Sequence, residues 1–322
     1  MPRPPFDPEL ATFLELVGDR LPPSIRTGDI AAFRESARAN RLSDADLCRD
    51  GRITVGELTV PGPPDGPELS LLVCQPSSRD QVAPAIYHTH GGGMIMGDSR
   101  TGLAPLLDWV ERLGVVVVSV DYRLAPEHPF PAGVEDCYAG LCWTVEHASD
   151  LGVDPSRVVL AGTSAGGGLA AAVALMARDR RGPAVMGQLL MCPMLDDREM
   201  TPSSTELLGE GVWDQVSNRT GWAALLGSAV AGPGVSPYAA PARCEDLSGL
   251  PPAFIDVGSA ETFRDEDVDY AARLWRAGVQ AELHVWPGGF HGFDVFAPEA
   301  VLSRSARAAR LDWLARLLGI GL

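Results

Sequence analysis

No lysine occurs among the 322 residues; all 26 basic side chains are arginine. That excludes a Schiff-base amine, a serine–lysine dyad and a Walker-type phosphate loop, each of which turns on a lysine. No apolar run approaches the ~18 residues of a membrane-spanning helix. Met1-Pro2-Arg3-Pro4-Pro5 has neither the basic start nor the apolar stretch of a signal peptide. Cysteine is sparse: Cys48, Cys74, Cys137, Cys142, Cys192 and Cys244 show no C-x-x-C or Cys/His metal spacing. Free thiols in a reducing cytoplasm, with no metal and no cofactor, are therefore expected. Positive charge is short as well, and the net charge of −16 argues against nucleic acid and against anionic membrane surfaces as partners. The chain shows no internal repeat.

What is present is a sustained alternation of strand-like and helix-like runs. Strands are predicted at Ile53–Val60, Leu69–Gln75, Ala83–His88, Val115–Val120, Arg157–Ala161, Gln188–Cys192, Ala253–Val257 and Glu282–Val285. Helices are predicted near Leu103–Leu113, Val134–Ala148, Ala165–Asp179, Glu266–Ala277 and Leu302–Leu318. Such alternation means an α/β fold with a mostly parallel sheet covered by helices on both faces, its first two strands antiparallel because their connection is short. Two segments fall outside the alternation. Residues 1–50 read as helices preceding the first strand, and about 196–243 interrupt the domain formed by 51–322. Together they are expected to make a helical cap, because long excursions beyond a strand's end are usually lids or binding elements.

Chemistry is signalled by Gly162-Thr163-Ser164-Ala165-Gly166 between a strand and a small-residue helix. G-x-S-x-G is the sequence of a tight turn that lifts a serine hydroxyl clear of the sheet. Gly166, Gly167, Gly168 and Ala171 also spell a dinucleotide fingerprint, but inside the helix and not before it, so they read as helix–sheet packing. Upstream, His90-Gly91-Gly92-Gly93 follows another strand; bare glycine amides suit stabilisation of a developing oxyanion. Of six histidines, His291 stands in a glycine-bracketed loop at a strand end, while His88, His128, His147 and His284 read as structural and His90 as a brace for the glycine loop. Several acids could serve that imidazole. Asp256 lies deep in a strand, Glu261 falls in the loop beyond it, Asp265 has a competing use as a helix cap, and Asp196-Asp197 end an earlier strand.

The His-Gly-Gly-Gly motif, Gly162 to Gly168, and Asp121-Tyr122-Arg123-Leu124-Ala125-Pro126-Glu127-His128-Pro129-Phe130-Pro131-Ala132 together resemble the bacterial hormone-sensitive-lipase family of α/β-hydrolase esterases, from about Pro84 onward. Tyr238–Pro241 and Leu247–Pro252 are similar to stretches in bacterial acetyl esterases such as heroin esterase. The family's acid usually opens Asp-Pro-Leu-Arg-Asp-Glu; here Glu261-Thr262-Phe263-Arg264-Asp265-Glu266 lies in register with glutamate first. The resemblance thus implies a serine carboxylesterase using Ser164, His291 and Glu261, with Asp265 as the alternative acid. Its oxyanion donors would be Gly92, Gly93 and Ala165, and its pocket would be bounded by Met94, Met96, Trp213 and Phe293. Short acyl esters are the expected substrates, and the partners left open are a small-molecule ester and a second copy of the chain. Rival readings are a tailoring hydrolase, lactonase or peptidase of the same fold, or a binding protein without chemistry.

Overall fold

The apolar runs in the middle of the chain become strands buried on both faces. In the computed structural model, which describes residues 3–79 and 81–321, the strands are β1 (Ile53–Val60), β2 (Leu69–Pro76), β3 (Ala83–Thr89), β4 (Val116–Asp121), β5 (Val153–Thr163), β6 (Gly187–Met191), β7 (Ala253–Gly258) and β8 (Ala281–Trp286). They form one sheet in the order β1-β2-β4-β3-β5-β6-β7-β8. β1 and β2 pair antiparallel, as do β2 and β4; all pairs from β4 to β8 are parallel.

Alternate residues of the strands feed two separate cores. Val116, Val118, Val120, Val158 and Leu160 face the helices Ala132–Glu146 and Ala165–Asp179. Val117, Val159, Ala161 and Leu189 face Ala104–Leu113 and Val301–Leu318. Burial of each such valine or leucine is worth about 1.5–3 kcal/mol, which fixes strand register and so the positions of the strand ends. The chain leaves β3 for β4 on one side and returns to β5 on the other. Loops diverge there and open a crevice at the strands' carboxyl ends, the usual place for a ligand in an open α/β sheet.

Helices Pro8–Val17, Ile30–Ala39 and Asp44–Cys48 precede β1. Asp7 caps the first, with Pro8 at its opening position. The stretch between β6 and β7 carries helices Ser203–Glu206 and Gln215–Leu226, the latter capped by Asp214. Its ends are pinned together by Arg243 on Asp197 (2.9 Å). It meets the N-terminal segment through Ser24 Oγ on Asp214 (2.6 Å) and the Ile25 amide on Ser217 Oγ (2.8 Å). Among the described residues no helix is long and apolar enough to cross a membrane.

Candidate active site

Ser164 sits at the junction of β5 and helix Ala165–Asp179 with φ 60° and ψ −124°. A non-glycine residue held there costs on the order of 1–3 kcal/mol, so its surroundings must enforce it. They do: the Ser164 amide donates to Met191 O (2.8 Å), and its carbonyl accepts from Gly168 (3.0 Å) and Met194 (3.0 Å). Close approach explains the flanking glycines. A Cβ on Gly162 would lie 2.2 Å from Gly166 O, and one on Gly166 would lie 2.0 Å from Thr89 O.

The loop after β3 is braced from below. His90 is buried, stacks on Tyr122 with centroids 4.1 Å apart, and its Nδ1 lies 2.8 Å from Gly91 O. Burial pushes the His90 pKa down to about 4, so the ring is neutral and its Nδ1–H donates to that carbonyl. The Tyr122 hydroxyl donates to His90 O (2.8 Å). Above this brace Gly93 has φ +62°, and a Cβ there would lie 2.3 Å from the Trp213 ring. The amides of Gly92, Gly93 and Ala165 donate to no protein group among the described residues.

His291 reaches Ser164 across 127 residues of sequence, its Nε2 2.9 Å from Ser164 Oγ. Its Nδ1 lies 3.2 Å from Glu261 Oε1, while Glu261 Oε2 accepts from the Gly258 amide (3.4 Å). With the proton on Nδ1, Nε2 is free to accept from the serine hydroxyl. All three side chains are buried, at 5%, 7% and 2% exposure for Ser164, His291 and Glu261. Burial also drives the carboxyls of Glu266 and Asp267 well upward. That favours their neutral acids, and it is Glu261 whose oxygen lies against the imidazole.

The other candidate acids are committed elsewhere. Asp265 does not cap its own helix, which starts at Arg264 without a side-chain cap. Its Oδ2 instead accepts from the Ser203 amide (2.9 Å) and its Oδ1 from Arg264 Nε (2.7 Å). Asp196 pairs with Arg198 and Asp197 with Arg243. Asp256 accepts from Trp286 Nε1 and Arg310 Nε, each at 2.9 Å, and Arg310 also pairs with Asp294. Arg310 thus neutralises two buried carboxylates, one on the strand before Glu261 and one in the short helix Phe293–Phe296 that follows His291. Arg310→Met is expected to cost about 3–5 kcal/mol, because it leaves both acids buried without a cation. Urea denaturation reads this directly; a loss below about 1 kcal/mol would rule the network out as a major stabiliser. His88 bonds Ser119 (2.9 Å), His147 bonds Trp143 O (3.0 Å) and His284 bonds Glu282 (2.9 Å).

A cleft of about 240 Å³ opens onto Ser164 and His291. Of the four residues expected to bound a substrate pocket, Met96 and Trp213 line this cleft and Met94 and Phe293 do not. The chain reverses at Gly93, turning Met94 into the main core beside Tyr122 and Leu169. A second reversal at Gly292 (φ 70°) buries Phe293 with Leu10 and Phe290. Their places are taken by Ile25, Phe33, Val295 and Phe296. Ile30, Phe33 and Ala37 recur at helical spacing, and that apolar stripe was the available signal for the N-terminal contribution.

Residues 86–295 match the family model for the alpha/beta hydrolase fold, Abhydrolase_3. The chain is 36% identical over 301 residues to esterase LipI of Mycobacterium tuberculosis, covering 92% of this chain and 90% of that one. It is 35% identical over 322 residues to carboxylesterase NlhH of the same species, covering 98% and 97%. Among solved structures, bacterial heroin esterase superimposes with a TM-score of 0.90 at 37% identity, covering 97% of this chain and 98% of that one.

Proposed function

Because the chain belongs to the hormone-sensitive-lipase type of α/β-hydrolase family and acts on carboxylic ester bonds, we propose that it is a serine carboxylesterase for short acyl esters that works through an acyl-enzyme. The observation that carries this reading is the continuous relay from Glu261 Oε1 through His291 to Ser164 Oγ, with contacts of 3.2 and 2.9 Å. His291 Nε2 takes the serine proton as Oγ attacks the ester carbonyl. Glu261 holds the proton on Nδ1 and stabilises the imidazolium that forms. The unengaged amides of Gly92, Gly93 and Ala165 receive the oxyanion; each such donor is typically worth about 2.7–4 kcal/mol. His291 then protonates the departing alcohol, and water repeats the sequence to release the acid.

Residues 1–50 and 196–243 act in this reading as a cap over the catalytic domain, supported by the bonds of Ser24 and Ile25 to Asp214 and Ser217. Ile25 and Trp213 bring one wall of the cleft from each piece. Short-chain selectivity is supported by volume: about 240 Å³ lies below the roughly 300–1,000 Å³ of pockets that take drug-sized ligands. A reducing cytoplasm is the compartment we assign, in keeping with six unpaired thiols.

Stopped-flow mixing with p-nitrophenyl acetate is expected to give a p-nitrophenol burst approaching one equivalent per chain if deacylation is the slower step. A panel of esters, amides and lactones sets the scope. Acetyl to about hexanoyl esters should exceed long-chain esters by about tenfold or more in kcat/KM, since one methylene misfit already costs ~1–3 kcal/mol. Efficient turnover of long-chain triglyceride emulsions, or faster cleavage of amides or lactones than of acetyl esters, would overturn the substrate assignment.

A further inference from the structure

Three side chains of different donor chemistry meet beside the serine. Cys192 follows β6 at φ 38°, its amide donating to Asp256 O (2.7 Å) and its side chain buried. One ligand atom each from Cys192, Glu261 and His291 lies within 4.8 Å of the other two. The ring atom concerned is Nδ1, since Glu261 Oε1 is 3.2 Å from it and Nε2 is directed at Ser164.

We propose that Cys192 Sγ, a Glu261 carboxylate oxygen and His291 Nδ1 form a binding site for one zinc-like divalent cation, and that filling it switches hydrolysis off. The second half rests on the reading of His291 as the base. A thiolate, a carboxylate and an imidazole are a donor set that zinc accepts, at about 2.3, 2.0–2.2 and 2.0–2.1 Å, which places ligand atoms about 3.5 Å apart. The three atoms, within 4.8 Å of one another without a cation, must close to that spacing on binding. Calcium and magnesium prefer an all-oxygen shell and are disfavoured by sulfur and nitrogen. Charge also balances: a thiolate and a carboxylate offset a dication, so the buried cluster carries no net charge and escapes the penalty of an uncompensated ion. The cleft is lined by His291 but not by Cys192 or Glu261, so a cation reaches the cluster from the cleft only past the imidazole ring. On binding, the thiol proton leaves to buffer and the cation takes the Nδ1 lone pair. The ring proton then sits on Nε2, so the atom facing Ser164 donates and can no longer accept the serine proton.

The test uses the full-length protein freed of metal by chelation, with zinc chloride as the probe. Micromolar zinc should lower kcat by more than about tenfold, EDTA should restore it, and equal magnesium or calcium should not act. Cys192→Ala and Cys192→Ser, each compared with its own metal-free rate, should need about ten- to a hundredfold more zinc, as loss of one of three ligands implies. Binding is read independently with cobalt(II). Its thiolate charge-transfer band should appear in the starting protein and in Ser164→Ala, and be absent from both Cys192 variants. A band in Ser164→Ala separates the cation site from the catalytic reading, because that variant cannot report on hydrolysis. Equal zinc sensitivity in the Cys192 variants, or no cobalt–thiolate band in the starting protein, would overturn the proposal.

Discussion

Ser164→Ala is expected to lower kcat/KM for p-nitrophenyl acetate by about a thousandfold or more while the protein stays folded. The size follows from what the hydroxyl does: without Oγ no acyl-enzyme can form, and the remaining oxyanion donors and binding contacts supply only residual catalysis. Stability should change little. The side chain's hydrogen-bond partner is His291 Nε2 at 2.9 Å, and a single neutral hydrogen bond is worth about 0.5–1.5 kcal/mol net. The strained φ of 60° is imposed by the backbone bonds to Met191, Gly168 and Met194, which alanine keeps. Kinetics paired with a thermal melt decides the matter. A folded, contaminant-free variant retaining more than about a hundredth of the original rate would falsify the assignment of Ser164 as nucleophile.

The sheet was legible in the sequence because local pattern and tertiary environment agree there. Val115–Val120 can only be a strand buried on both faces, and each half of its alternation finds a core. The turns around Ser164 and after β3 were legible for a different reason: glycines stand where backbone from another segment approaches within about 2 Å of a would-be Cβ, as at Gly162 and Gly166. What sequence could not carry was direction. Met94 and Met96 are two residues apart on one loop, yet the positive φ at Gly93 and Met94 sends the first into the core, leaving Met96 on the cleft. Ile25 and Phe33 became wall residues only through docking of the N-terminal segment against Asp214 and Ser217, some 190 positions away. The acid was ambiguous for the same reason. Asp265 is held by Ser203, a contact over 62 residues that no local spacing encodes.

Glu261→Gln and Asp265→Asn should therefore separate cleanly. In Glu261→Gln the side chain keeps its size, and its environment orients it. The Gly258 amide, now 3.4 Å from Oε2, will claim the new carbonyl oxygen, which turns the –NH₂ towards His291 Nδ1. Two donors cannot face each other, so the imidazole must present its Nδ1 lone pair and carry its proton on Nε2. The atom 2.9 Å from Ser164 Oγ then cannot accept the serine proton, and kcat should fall by about 10³–10⁴, the usual result of forcing the wrong tautomer. Asp265→Asn removes no contact to His291. It weakens the ion pair with Arg264 and the bond from the Ser203 amide at a site where the Asp265 side chain is 27% exposed, which together should cost about 1 kcal/mol. Activity should stay within about threefold, since neither partner touches the reacting atoms. Steady-state kinetics and urea denaturation on both variants distinguish the cases. A well-folded but inactive Asp265→Asn beside an active Glu261→Gln would move the acid to position 265 and require the loop after β7 to adopt a different arrangement when substrate is bound.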